Sequence, residues 1–127
     1  MSDIERNKQV VRGFCETAFN LKQPAEAAEQ FLGREYIQHN PMAPDGPDAF
    51  VEFAGGFVSQ APGLSLEIKR IIAEDDLVLA HSHLKLSADD AGSAVADIFR
   101  LEDGKIVEHW DVIQPIPESS ANDHPMF

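Results

Sequence analysis

The chain has 127 residues, a net charge of −12 and one cysteine, with 43% hydrophobic and 25% charged residues. Such a length and composition fit one globular domain, residues 1–127, around one core. The negative balance argues against nucleic acid or an anionic membrane as partner, since both recruit positive surfaces. Cys15 has no second cysteine to pair with, and reads as a small core residue. The N-terminal stretch is charged from Asp3 and carries no signal-peptide pattern, and no apolar run approaches the ~20 residues of a membrane helix. A cytoplasmic protein is expected.

In chain order, Ser2 and Asp3 are suited to cap a first helix. Ile4, Val11, Phe14, Cys15 and Ala18 then share one face at helical spacing, and Asn20 ends it. Pro24 opens a second short helix through Leu32, and Gly33 closes it. Tyr36 to His39 reads as extended, and Asn40-Pro41 turns the chain away from helix. Pro47 restarts a helix whose apolar stripe is Phe50, Phe53, Ala54, Phe57 and Val58; Pro62-Gly63 ends it. Four strands follow: Leu64–Ala73, Leu77–Leu86, Val95–Leu101 and Lys105–Ile113. Helices first and antiparallel strands after define an α+β protein with helices packed on one face of a curved sheet.

The last hairpin, turning at LEDGK, decides which residues meet. A two-residue Asp103-Gly104 loop pairs Glu102 with Lys105 and sets Asp97 opposite Trp110. A three-residue loop, with Gly104 in the left-handed bulge position, sets Asp97 opposite His109 and on the same face as Asp111. The second is favoured, because it needs a positive φ at Gly104 only. It gathers Asp97, Phe99, His109 and Asp111 on one surface and Ile98, Ile106, Trp110 and Val112 on the reverse.

Asp111 is either a solvated carboxylate near a strand end or a pocket acid. Two carboxylates on one buried surface, Asp97 and Asp111, would push each other's ionisation apart and leave one able to act as a general base. His81 and His83 share a strand face, and with His39 or His109 they have the makings of a metal site. The chain lacks the longer ligand patterns, HxxxH or CxxC, so no metal is expected. His39 either secures its loop by a hydrogen bond or joins the site. Phosphate-binding glycine loops and a GxSxG nucleophile elbow are absent from the sequence.

The order of three helices, then YIQHNP, then ADIFRLEDGKIVEHWDVIQPIPE resembles the SnoaL-like polyketide cyclases of the nuclear transport factor 2-like superfamily. More narrowly, it is similar to bacterial proteins predicted to be SnoaL-like aldol-condensation enzymes. That resemblance implies a cone-shaped, curved antiparallel sheet wrapped around three N-terminal helices and enclosing a pocket. It makes Asp111 the general acid/base of an aldol-type closure or isomerisation, with Asp97 the polar position of the preceding strand and His39 a catalytic partner. A carbonyl substrate would then meet Tyr36, Asn40, Phe50, Phe53, His81, His83, Phe99 and His109, with a histidine (His39, His83 or His109) bonding the oxyanion. No metal or organic cofactor is implied. A homodimer through the outer sheet face, at Ile98, Trp110 and Val112, is implied. Limonene epoxide hydrolases of the superfamily use an Asp-Arg-Asp set, and ketosteroid isomerases a tyrosine on the first helix; this chain offers no evident arginine, and carries Phe14 and Phe19 on that helix. The alternative is a non-catalytic ligand-binding or dimeric interaction module on the same fold.

Overall fold

A computed structural model describes residues 2–127. Helix α1 spans Asp3–Cys15, where the Ser2 hydroxyl accepts from the Glu5 N–H and caps the first turn. The helix then widens into a π-helical turn, Glu16–Asn20, instead of ending. Helix α2 spans Pro24–Phe31 and α3 spans Pro47–Gln60, each begun by its proline. Five strands complete the chain: β1 Leu32–Gln38, β2 Ser65–Glu74, β3 Leu77–Lys85, β4 Ser93–Glu102 and β5 Lys105–Pro115.

The strands form one sheet in the order β1-β5-β4-β3-β2. Neighbours pair antiparallel, except β1, which runs parallel to β5. The sequence reading carried α2 through Leu32; there the backbone is already extended (φ −86°, ψ 146°), and β1 follows without a loop. Gly33 permits this. A Cβ at that position would lie 2.9 Å from Val107 Cγ1, so only glycine lets β1 run this close to β5.

The inner sheet face packs on the helices. Val11 and Phe14 of α1, Phe50 and Ala54 of α3, Val78, Ala80, Phe99, Leu101 and Ile106 are buried together. Phe14 lies 5.0 Å from Phe50 and 5.9 Å from Phe99 between ring centroids, which ties α1, α3 and β4 into one aromatic layer. Asn20 secures the edge strand: its amide donates to the Leu66 carbonyl and accepts from the Leu66 N–H, filling the place of a missing neighbour strand.

The β4–β5 hairpin differs from the favoured reading. Glu102 pairs with Lys105, so the loop is the two-residue Asp103-Gly104, with φ of 51° and 78°. A bulge then follows. Leu101 pairs with Ile106 but Arg100 with Glu108, leaving Val107 as the extra residue. That single insertion shifts the ladder so that Asp97 faces Asp111 and His109 faces Phe99. The expected company of Asp97, Phe99, His109 and Asp111 on one face therefore holds, by a different route. The bulge also turns Ile106 inward: it is fully buried in the core and not part of the outer stripe.

Candidate active site

Between α1, α3 and the inner face of β1, β4 and β5 lies a cavity of about 140 Å³. Its walls are mostly apolar, with Phe14, Phe19, Phe50, Phe53 and Phe99 prominent among them and Phe53 (40% exposed) and Ile113 at the rim. Its polar groups come from three strands and one turn: Tyr36 and Gln38 of β1, Asn40 just beyond, Asp97 of β4, and His109 and Asp111 of β5. Cys15, read from sequence as a core residue, is buried and lines the wall as well. Burial pushes its thiol well up, with the charge of Asp97 adding to the effect, so it stays protonated.

The polar groups form one hydrogen-bonded chain. His109 Nε2 lies 2.8 Å from Asp97 Oδ1 and 3.9 Å from Asp111 Oδ2. His109 Nδ1 lies 2.8 Å from Gln38 Oε1. The backbone N–H of Asn40 also donates to Gln38 Oε1, at 3.0 Å, and this identifies that atom as the oxygen. Nδ1 must therefore carry a proton and donate to it. On the other side, the short contact to Asp97 needs one further proton, held by either partner. Both placements give the His109–Asp97 pair no net charge. The like-charge repulsion expected between the two carboxylates is thus cancelled at Asp97 by the imidazole.

Asp111 is held differently. The Asn40 amide nitrogen donates to Oδ1 at 3.1 Å and to Oδ2 at 3.0 Å. Asn40 Oδ1 is itself engaged by the Met42 N–H at 2.8 Å, a turn that Asn40-Pro41 favours and that aims the amide at Asp111. Tyr36 is buried, and its hydroxyl accepts from Gln38 Nε2 at 3.3 Å. Burial first, and then the charge of Asp97, push its ionisation well above the ordinary phenol range. The phenol therefore remains a neutral O–H donor, and its proton has no acceptor among the described residues.

Three histidines proposed from sequence lie elsewhere. Alternation along YIQHN sends Tyr36, Gln38 and Asn40 inward and His39 outward, where it pairs with Glu108 at 2.8 Å and stacks on Trp110 at 4.8 Å. Glu108 also meets Arg100 Nε at 2.8 Å, and the His39 bond, followed by that of Arg100, holds its carboxyl below the usual range. On β3 the buried residues are Val78, Ala80 and Ser82, so His81 and His83 face the other side. His81 bonds Arg70, His83 contacts the Ala91 carbonyl at 2.7 Å, and both rings lie against Phe127. None of the three lines the cavity. Gln38 was missed, although it holds His109. As for a metal, the donor atoms of Asp97, His109 and Asp111 lie within 4.8 Å of one another. Ligation by Nε2 would first have to break the His109–Asp97 hydrogen bond.

An α+β cone with a carboxylate in an aromatic cavity is the architecture of small-molecule proteins of the nuclear transport factor 2-like fold. The chain belongs to the SnoaL-like domain family, whose model matches residues 11–109. No curated protein matches it. Among solved structures it is similar to TsrD from Streptomyces laurentii, at 23% identity, covering 89% of this chain and 91% of that one with a TM-score of 0.74. It is also similar to a protein of Kribbella flavida DSM 17836 proposed to be a ketosteroid isomerase (18% identity, 96% and 87% covered, TM-score 0.75). A protein of Jannaschia sp. CCS1 proposed to be a SnoaL-like polyketide cyclase is a third (18% identity, 89% of each chain, TM-score 0.70). At these identities the likeness is one of fold. No helix is long and apolar enough to cross a membrane.

Proposed function

We propose that this chain is a cytoplasmic, cofactor-independent enzyme that moves a proton next to a carbonyl group, with Asp111 as the general base. The observation that carries this reading is the placement of one carboxylate, aimed by Asn40 through both oxygens, in the wall of an aromatic cavity beside a charge-neutral Asp97–His109 pair. Asp111 takes a proton from the carbon next to the carbonyl. The electron pair moves onto the carbonyl oxygen, which the neutral O–H of Tyr36 stabilises. Where a neighbouring C=C bond extends the enolate to a dienolate, it takes the proton back at the γ carbon, an isomerisation; otherwise its α carbon attacks a second carbonyl, an aldol closure. Asp111 returns the proton at the end of either route. Asp97 acts through His109, whose two ring nitrogens are both engaged. His39, His81 and His83 take no part, since they lie on the outer face.

The same reading includes a homodimer through Ile98, Trp110 and Val112 of the outer face. Asp111→Asn is expected to keep the fold, by circular dichroism, and to lower turnover by at least ~10²-fold, the usual scale for a general base. Unchanged turnover would remove Asp111 from the mechanism and favour a ligand-binding module on the same fold.

A further inference from the structure

We infer that the substrate of this site is a small, uncharged carbonyl compound of one or at most two rings. The carbonyl rests on the acid/base reading above; the size and the absence of charge rest on the cavity itself. The cavity, which opens to solvent at its rim, offers about 140 Å³. An apolar cavity of roughly 150 Å³ accommodates a molecule of benzene size, whereas pockets for larger ligands begin at about 300 Å³. Phe14, Phe50 and Phe99 close the inner end, packed on one another and buried, so a longer ring system cannot advance inward without displacing the core. Further rings would have to leave past Phe53 and Ile113 at the rim.

The charge argument is independent of size. Among the described residues, no lysine or arginine lines the cavity. Its net charge is that of Asp111, because His109 and Asp97 together carry none. Burial likewise opposes a negative charge on the Tyr36 oxygen. A ligand carboxylate beside Asp111 would meet the same opposition with no cation to offset it. The chain's net charge of −12 disfavours the approach of an anion as well.

Acetophenone and benzoate match in shape and differ in charge, and progesterone supplies a neutral ketone with four rings. Titration of each into the isotopically labelled protein, read at Phe14, Phe50, Phe99 and His109, tests both parts. Acetophenone is expected to shift these resonances at millimolar concentration. Benzoate is expected to bind at least ~10-fold more weakly, a modest consequence of like-charge juxtaposition, and progesterone to leave the inner phenylalanines unmoved. In Asp111→Asn the gap between acetophenone and benzoate narrows. The inference is overturned by benzoate binding as tightly as acetophenone, by an undiminished gap in the variant, by progesterone shifting the inner rings, or by no response to acetophenone. Deuterium uptake into the acetophenone methyl group separates the two proposals. Discrimination without uptake sinks the acid/base reading alone; uptake without discrimination sinks the substrate class alone.

Discussion

Gln38 and Asn40 hold His109 and Asp111 through their amides, and a backbone donor sets the direction of each. Gln38 Oε1 accepts from both His109 Nδ1–H and the Asn40 N–H. Gln38→Leu keeps the bulk but strands two part-buried donors, and is expected to cost about 1–3 kcal/mol in denaturant unfolding. Parental stability in that variant would contradict the assigned bonds. Tyr36 is the chain's single tyrosine, so tyrosinate absorbance reads it alone. Its ionisation is raised only in the folded state. The stability this confers is present below the unfolded phenol value of ~10 and is lost as the pH rises through the folded one. Tyrosinate should therefore appear together with alkaline unfolding; a free titration near ~10 in folded protein would refute the burial. The sequence held part of this. The alternation Tyr36, Gln38, Asn40 against Ile37, His39 was readable, and it places His39 outside. The hydrogen bonds were not, because they join the end of β1 and the turn after it to β5, 71 residues away in sequence.

At the scale of elements, the β4–β5 hairpin sets the site. Two local irregularities, the Asp103-Gly104 loop and the extra Val107, together bring Asp97 opposite Asp111. Asp103 sits at φ 51°, which an aspartate tolerates and a β-branched residue does not. Asp103→Val is expected to destabilise by about 1–3 kcal/mol in thermal or denaturant unfolding, while Asp103→Asn is nearly neutral. A harmless valine would mean that only Gly104 has positive φ, as in the three-residue loop. The elements themselves were legible from punctuation: Pro24, Pro47, Pro62-Gly63 and Asp75-Asp76 mark true boundaries. The bulge was not, because Ile106 and Val107 are chemically alike and either suits either face. The π-helical turn was hidden for a similar reason. Asn20 looks like a stop, and its pairing with Leu66 of β2 is a tertiary event. The parallel course of β1 beside β5 likewise depends on contacts outside its own segment.

For the whole molecule, the sheet separates two environments. Its concave face holds the aromatic cavity. Its convex face holds His39, Glu108, Arg100, Trp110, His81 and His83, with the C-terminal Phe127 folded onto the last two. Assigning those histidines to the cavity failed because β3 is apolar in both phases, Leu77 and Leu79 against Val78 and Ala80, so its sequence does not declare an inner side. Val112 is 70% exposed in the isolated chain, next to half-buried Ile98 and Trp110. Such a patch suits a partner copy. Trp110→Glu is expected to give a monomer or an aggregate in sedimentation, and an unchanged dimer would place the interface elsewhere. The central claim, that Asp111 is a base inside the cavity, is tested most directly by incubating acetophenone with the protein in heavy water and following deuterium entry beside the carbonyl. The account predicts exchange with the parent chain and a loss of at least ~10²-fold in Asp111→Asn; equal rates in the two proteins would contradict it.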